Sequence, residues 1–559
     1  MTNLIIQISK YLIIILMALY TFQCYTVFRK KDEEARDYLF MRQNMLMFFM
    51  HFVAFTVLYL EIGEVTVLFF YGAQAIYLAA VLVLFRNLYP LASRLLINNM
   101  CMLICIGFIM LTRLSYDQCI KQFKIAIIAT VVALLVPLIV RKLRFITKMY
   151  WLYALMGIGL LGLVAVAARS TYGAKLAFSF GGITVQPSEF VKIIYVFAIA
   201  GLLTHARDFK RIVTATALAA VHVLILVLSK DLGSALIFFI TYLVVLFVST
   251  RNPFYVLAGV LSGAGAAVAA YFLFYHVRVR VQVWRDPFSD YQSTGYQICQ
   301  SLFSISAGGW FGTGLYQGSP NAIPIVEQDF MFSAIAEELG TIFGICLILV
   351  CMSCFIMFVN ISMQLTNRYY RLVAVGLGTT YAAQIFLTVG GGIKLIPMTG
   401  VTLPLVSYGG SSMLSTMIMF SIVQGLYMLK MDEIRKSRQT QNWNNAGYAD
   451  EQNGYYGTDD YYAQDRYQNA YADQNEYYDN AGYENNGYYD ERSYYDDGQY
   501  YDTDRDYHQD NSEYYNEDRY RGGVNGYYEE ERYQGATDPE YGYDQYHGYR
   551  NSGGFYEEP

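Results

Sequence analysis

The chain has 559 residues, 55% of them hydrophobic and 15% charged, with a net charge of −6. Its apolar residues stand in long blocks between short charged loops rather than in amphipathic alternation, which excludes a soluble globular domain and marks an all-α polytopic membrane protein. Membrane lipids are its expected surroundings, and no nucleic-acid partner is expected.

A bilayer core about 30 Å thick needs about 20 apolar residues per helix. Thirteen spans of that order are predicted, over residues 11–28, 39–60, 65–85, 95–111, 124–140, 150–167, 190–203, 213–228, 232–248, 254–275, 331–359, 372–389 and 413–429. Residues 1–88 carry three of them, and residues 89–430 carry ten together with all the unusual polar motifs. Basic loops such as "FRKKDEEAR", "RNLYPLASR", "RKLRFITK" and "KMDEIRKSR" alternate with poorer ones such as "EIGE" and "SKDLG". By the positive-inside rule this places the N-terminus outside, the C-terminal tail in the cytoplasm and the long loop 276–330 outside. No removable signal peptide is expected, because the first apolar stretch is long enough to span and lacks an A-x-A-like site before its basic flank.

The tail, 431–559, is of another character. Residues 441–559 hold 28 Asp/Glu against 7 Arg, a net of −21, which leaves +15 for the rest of the chain. They contain 28 Tyr and no Leu, Ile or Met, too little aliphatic surface to offset chain entropy, so disorder is expected. Most of the eight cysteines fall inside predicted helices, where packing accounts for them. Cys119 and Cys299 both fall outside, and a disulfide between them stays open.

Four motifs bring ionisable or helix-breaking residues to the outer half of the membrane body, where charge is costly and faces a cavity or a partner. In "GGITVQPSEFVKIIYVF", Glu189 and Lys192 share a helix face, where they can neutralise each other while Lys192 also helps bind an anionic head group. In "SKDLGSALIFF", Asp231 stands at a helix start, where capping alone can explain it. "YQSTGYQICQSLFSISAGGWFGTGLYQGSP" reads as a short interfacial helix ended by Gly308 and Gly309. "GGGIKLIPMTGVTLPLVSYGGSS" has so many Gly and Pro that irregular backbone is expected, with Lys394 supplying a cation and Ser407 near its end. Ahead of the apolar run in "VEQDFMFSAIAEELG", Glu327 and Asp329 stand at a helix start, while Glu337 and Glu338 lie deep enough to need a cavity or a cation.

Taken in order, "QPSEFVK", "KDLGSAL", "YQICQSLFSISAGGWFGTGL", "DFMFSAIAEELG" and "GVTLPLVSYGGSS" resemble the FtsW/RodA/SpoVE family, the SEDS proteins of bacterial cell-wall synthesis, over about residues 89–430. The resemblance implies a ten-helix core and a peptidoglycan glycosyltransferase that polymerises lipid II, the undecaprenyl-pyrophosphate disaccharide peptide, at the outer membrane face. It also implies a class B penicillin-binding protein as partner, in cell division or elongation. By motif register the essential acid is Asp329, although the family's Pro-Glu-x-His-Thr-Asp-Phe run stands here as "IVEQDF" without the His-Thr pair.

On that reading Asp329 is the catalytic base of an inverting transfer. Lys192, Lys394, Arg278, Arg280 and Arg285 are candidates for the diphosphate, and Glu189, Asp231, Glu327, Glu338 and Ser407 complete the substrate-binding set. No tightly bound cofactor is expected. A divalent cation, Mg²⁺ or Mn²⁺, is compatible with pyrophosphate chemistry, but no metal-ligand spacing marks one. A lipid-precursor flippase and a non-catalytic scaffold of the division or elongation machinery stand as alternatives.

Overall fold

The computed structural model describes residues 2–142, 147–167, 177–180, 183–204 and 209–452. The tail from 453 onward, expected to be disordered, lies outside the described residues. The helices are α1 (Thr2–Thr26), α2 (Glu33–Ile62), α3 (Val65–Leu88), α4 (Arg94–Leu114), α5 (Tyr116–Lys142), α6 (Tyr150–Ala167), α7 (Pro187–Leu203), α8 (Phe209–Leu228), α9 (Leu232–Thr250), α10 (Pro253–Leu273), α11 (Tyr275–Arg285), α12 (Tyr296–Gly308), α13 (Met331–Glu338), α14 (Gly340–Gln364), α15 (Arg368–Gly392) and α16 (Gly410–Gln452). A short antiparallel hairpin, β1 (Phe178–Phe180) with β2 (Ile183–Val185), pairs Ser179 with Thr184 ahead of α7.

Twelve of the described helices are long and apolar enough to cross a membrane, and the 17-residue α7 corresponds to the remaining expected span. Their ends follow local rules. Asp32 accepts a hydrogen bond from the Ala35 amide at the start of α2, and Asn367 accepts one from Tyr369 at the start of α15. Pro253 occupies the first turn of α10, where its missing N–H leaves no intrahelical bond unmade.

The most enclosed helix is α4, buried continuously from Leu95 to Thr112. Helices α2, α3, α5 and α14 pack on it. The N-terminal helices are fastened by polar pairs as well as by packing. Tyr20 donates to Asn99 Oδ1 at 3.0 Å, and Asn98 donates to Gln43 Oε1 at 3.0 Å. Interhelical hydrogen bonds of this kind suit an interior where lipid cannot replace them.

Three expectations need correction. The span 331–359 is broken: α13 ends at Glu338, and Gly340 starts α14 with φ +88. A Cβ there would lie 2.4 Å from the Gly312 nitrogen, so the chain from the preceding loop occupies the space that a continuous helix would need. The stretch of irregular backbone begins only after Gly392, because Gly390 to Gly392 are the last turn of α15, with the returning segment at Ile396 and Met398 packed on them. The chain also remains helical past residue 430, with α16 continuing through Gln452. Cys119 and Cys299 both carry free, buried thiols.

Candidate active site

Asp329 lies in the turn that leads to Phe330 and α13, and Phe330 is fully buried as its anchor. Burial pushes the Asp329 carboxyl up to about 6. The positive charge of Arg280 opposes that rise and the charge of Glu327 adds to it. Arg280 belongs to α11, and its guanidinium donates to the Met398 and Thr399 carbonyls at 3.2 and 3.3 Å. Its field acts on Asp329 and on Asp231. One cation is thus coupled electrostatically to two carboxylates, Asp329 in the turn before α13 and Asp231 at the start of α9.

Asp231 caps α9, accepting from the Ser234 amide at 3.1 Å, and also accepts from the Ser188 hydroxyl at 3.1 Å. Burial raises its pKa, with the Ser234 and Ser188 bonds opposing. Capping explains only part of its position, since its second oxygen joins α9 to the start of α7. One turn further along α7, Lys192 is 3% exposed and donates to Glu189 Oε2 at 2.6 Å and Gln384 Oε1 at 2.7 Å. Ser415 donates to the same Glu189 oxygen at 2.8 Å. The ion pair expected of Glu189 and Lys192 is present, and through Gln384 and Ser415 it ties α7 to α15 and α16.

The other candidates separate in the same way. Arg278 and Arg280 are two apart on a helix, so they face different directions. Arg280 turns inward, whereas Arg278 is exposed and donates to the Phe272 carbonyl at 3.0 Å. Arg285 is exposed at the end of α11. Lys394 is half-buried with φ +61, and its carbonyl accepts from the Trp284 indole at 3.2 Å. Glu327 accepts from Gln118 of α5 at 2.9 Å, and its backbone carbonyl accepts from the Tyr408 amide at 2.8 Å. Ser407 is buried, and its hydroxyl accepts from the Leu403 amide at 3.1 Å, which closes the turn before α16.

Glu338, expected at the substrate, is instead completely enclosed. Its Oε1 accepts from Arg113 Nε at 2.8 Å, and the Arg113 side chain is 8% exposed. Burial pushes the Glu338 carboxyl up to about 7 against the opposing Arg113 charge. Arg113 also donates to the Gly318 carbonyl at 3.1 Å and lies over the Tyr316 ring at 4.2 Å. Beside it, Glu337 Oε1 accepts from the Ser319 amide at 2.6 Å, while the backbone carbonyls of Glu337 and Glu338 accept from Thr313 and Gly314. The acidic pair thus fastens the loop that joins α12 to the Asp329 turn.

Sequence reasoning missed Arg113, Ser188, Gln118 and Thr399. Arg113 stands at the end of α4 and Gln118 at the start of α5, and their partners are more than 200 positions away. Thr399 Oγ1 and, on α11, His276 Nε2 are buried with no hydrogen-bond partner among the described residues.

Close packing fixes the distance between α9 and the segment that holds Arg280. A Cβ added to Gly233 would lie 2.3 Å from Val401 Cγ2 and 2.9 Å from the Thr399 oxygen. Gly233→Ala is therefore expected to cost about 1–3 kcal/mol of stability and to slow turnover by displacing the acceptors of Arg280. A thermal midpoint and turnover both equal to wild type would show that the contact relaxes freely.

Residues 93–431 match the FtsW/RodA/SpoVE family, described as cell cycle proteins. Among relatives, the peptidoglycan glycosyltransferase RodA of Mycobacterium tuberculosis is 32% identical over 370 residues, covering 60% of this chain and 78% of the relative. A probable peptidoglycan glycosyltransferase FtsW of Aliivibrio salmonicida is 31% identical over 276 residues, covering 47% and 68%. The fold is also similar to a solved chain from a peptidoglycan synthase complex that coordinates polymerization and crosslinking, with 26% identity, a TM-score of 0.53, and coverage of 61% of this chain and 98% of that one. The matched region contains every polar group of the site, from Arg113 to Ser415, in a multi-pass membrane protein. The chain belongs to the FtsW/RodA/SpoVE family of cell cycle proteins.

Proposed function

We propose that this protein is a peptidoglycan glycosyltransferase that polymerises lipid II at the outer face of the cytoplasmic membrane, with Asp329 as general base. What supports the mechanism is the placement of Asp329 in the turn ahead of α13, where burial raises its carboxyl to about 6 against the opposing charge of Arg280, itself anchored on the Met398 and Thr399 carbonyls. A base of that strength is largely ionised at neutral pH yet basic enough to take a proton in the transition state. The acceptor 4-hydroxyl gives its proton to Asp329 as its oxygen attacks the donor's anomeric carbon. The new C–O bond forms as the bond from that carbon to the pyrophosphate oxygen breaks, with inversion, and the pyrophosphate leaves with the electron pair.

A diphosphate leaves readily without a second carboxyl as proton donor, so one acid suffices, unlike hydrolysis of a glycoside, whose sugar hydroxyl needs a proton to leave. Lys192, Lys394, Arg278 and Arg285 are the candidate cations for the leaving group, with Arg280 coupled to the two acids. Among the described residues no three His, Cys, Asp or Glu side chains form a metal cage. On this reading any Mg²⁺ or Mn²⁺ enters with the pyrophosphate as part of the substrate.

A class B penicillin-binding protein would cross-link the strands, in division or elongation. The orientation follows from the loop charges, with the N-terminus outside and the tail cytoplasmic. Because the eight native cysteines are buried, Ser293→Cys in the loop before α12 gives a clean probe. A membrane-impermeant maleimide is expected to label it in intact cells, and labelling only after lysis would reverse the topology. Purified full-length chain incubated with labelled lipid II tests the reaction. Glycan strands support the polymerase, and transbilayer movement without product would identify a flippase.

A further inference from the structure

The end of the bundle away from Asp329 contains a cavity. Helix α4, about 30 Å long at 1.5 Å per residue, presents Arg113 to the Glu338 region at one end and Arg94 at the other. Around Arg94, a cavity of about 510 Å³ opens between α2, α3 and the start of α4. That volume is within the usual range for small-molecule sites. Two of its three walls, α2 and α3, precede the family-matched region, which begins at residue 93, so the cavity exists only because of the N-terminal helices.

We propose that this cavity binds one anionic phospholipid, of the phosphatidylglycerol type, through its headgroup and the upper part of an acyl chain. Three charged side chains line it: Arg86, Arg94 and Asp37. Arg94 is paired with Asp37, and Arg86 is exposed with no ion-pair partner among the described residues. The net +1 of the lining complements the single negative charge of a phosphodiester. Asn44 Oδ1, also in the lining, is buried and has no hydrogen-bond partner, an acceptor that a headgroup hydroxyl can satisfy. Phe40, Phe48 and Leu82, also in the lining, offer an apolar surface for the chain. Basic pockets between membrane helices on the side of the basic loops are suited to anionic headgroups, and the basic loops "FRKKDEEAR" and "RNLYPLASR" flank this one.

The test uses the full chain, delipidated in neutral detergent, titrated with dioleoyl phosphatidylglycerol, dioleoyl phosphatidylcholine or inorganic phosphate. Thermal midpoint and native mass spectrometry are the readouts. The expected result is a raised midpoint and one retained lipid with phosphatidylglycerol alone. Arg86→Gln is expected to weaken that binding about fivefold, the factor equivalent to about 1 kcal/mol per basic side chain at a membrane surface. Ala79→Trp, which fills the cavity, is expected to abolish it with an unchanged elution profile. Equal retention of phosphatidylcholine, the same shift from phosphate alone, or wild-type binding by Ala79→Trp would overturn the proposal. Should Arg86→Gln fail to fold, the Ala79→Trp comparison still decides.

Discussion

Asp329→Asn is expected to lower lipid II polymerisation by about 10²–10⁴-fold, the usual contribution of a positioned general base, while leaving the protein folded. The amide keeps the shape and loses only the proton acceptor. Its effect on stability has a definite sign. The folded Asp329 carboxyl titrates at about 6, above the ordinary value of about 3.9 for an aspartate. A raised folded pKa gives stability that is complete below the unfolded pKa and lost as pH rises through the folded one. At neutral pH the wild type carries the cost of a half-buried charge and the amide variant does not. The thermal midpoint of Asp329→Asn at pH 7 should therefore equal or exceed that of wild type. Glycan gels and thermal unfolding on the same preparation check both statements, and a collapse of both would make Asp329 a structural residue.

Arg113→Ala is expected to be the most damaging single change to stability, at about 3–5 kcal/mol, because it strands Glu338 as an unpaired charge in a fully enclosed site. It also removes the bond to the Gly318 carbonyl and the contact with Tyr316, so the loop before α13 should become open to proteolysis. With the opposing cation gone, the Glu338 pKa rises beyond its value of about 7. The folded state then binds its proton more tightly than the unfolded chain does, and stability falls as pH rises. The variant should be weakest at alkaline pH and partly restored near pH 5. Adding Glu338→Gln should recover much of the loss, because a neutral amide no longer requires the cation. Thermal unfolding of the two single variants and the double variant measures this coupling.

The membrane architecture was legible because each span is an apolar block about as long as the bilayer is thick, and all thirteen expected spans correspond to helices. Asp329 was singled out through its register with "FSAIAEELG", whereas its surroundings left no local pattern. Arg280 and Arg278 look alike as letters, and only the helical period of α11 turns one inward. The break at Gly340 was hidden because it depends on Gly312, which arrives from a separate loop. Glu338 was assigned to the substrate because its cation, Arg113, lies 225 positions earlier at the end of α4. Long-range pairing of this sort leaves no local pattern, whereas caps such as Asp231 and breakers such as Gly309 do.

The central claim is that the Asp329 carboxylate, tuned by Arg280, takes the proton of the attacking hydroxyl. The most direct measurement is the pH dependence of the initial polymerisation rate for wild type and Arg280→Gln. The wild-type rate should fall on the acid side with a midpoint near pH 6, and the midpoint should move to higher pH in the variant, where the opposing cation is gone. A wild-type rate that stays flat down to pH 5, or an acid limb that does not move when Arg280 is replaced, would contradict it.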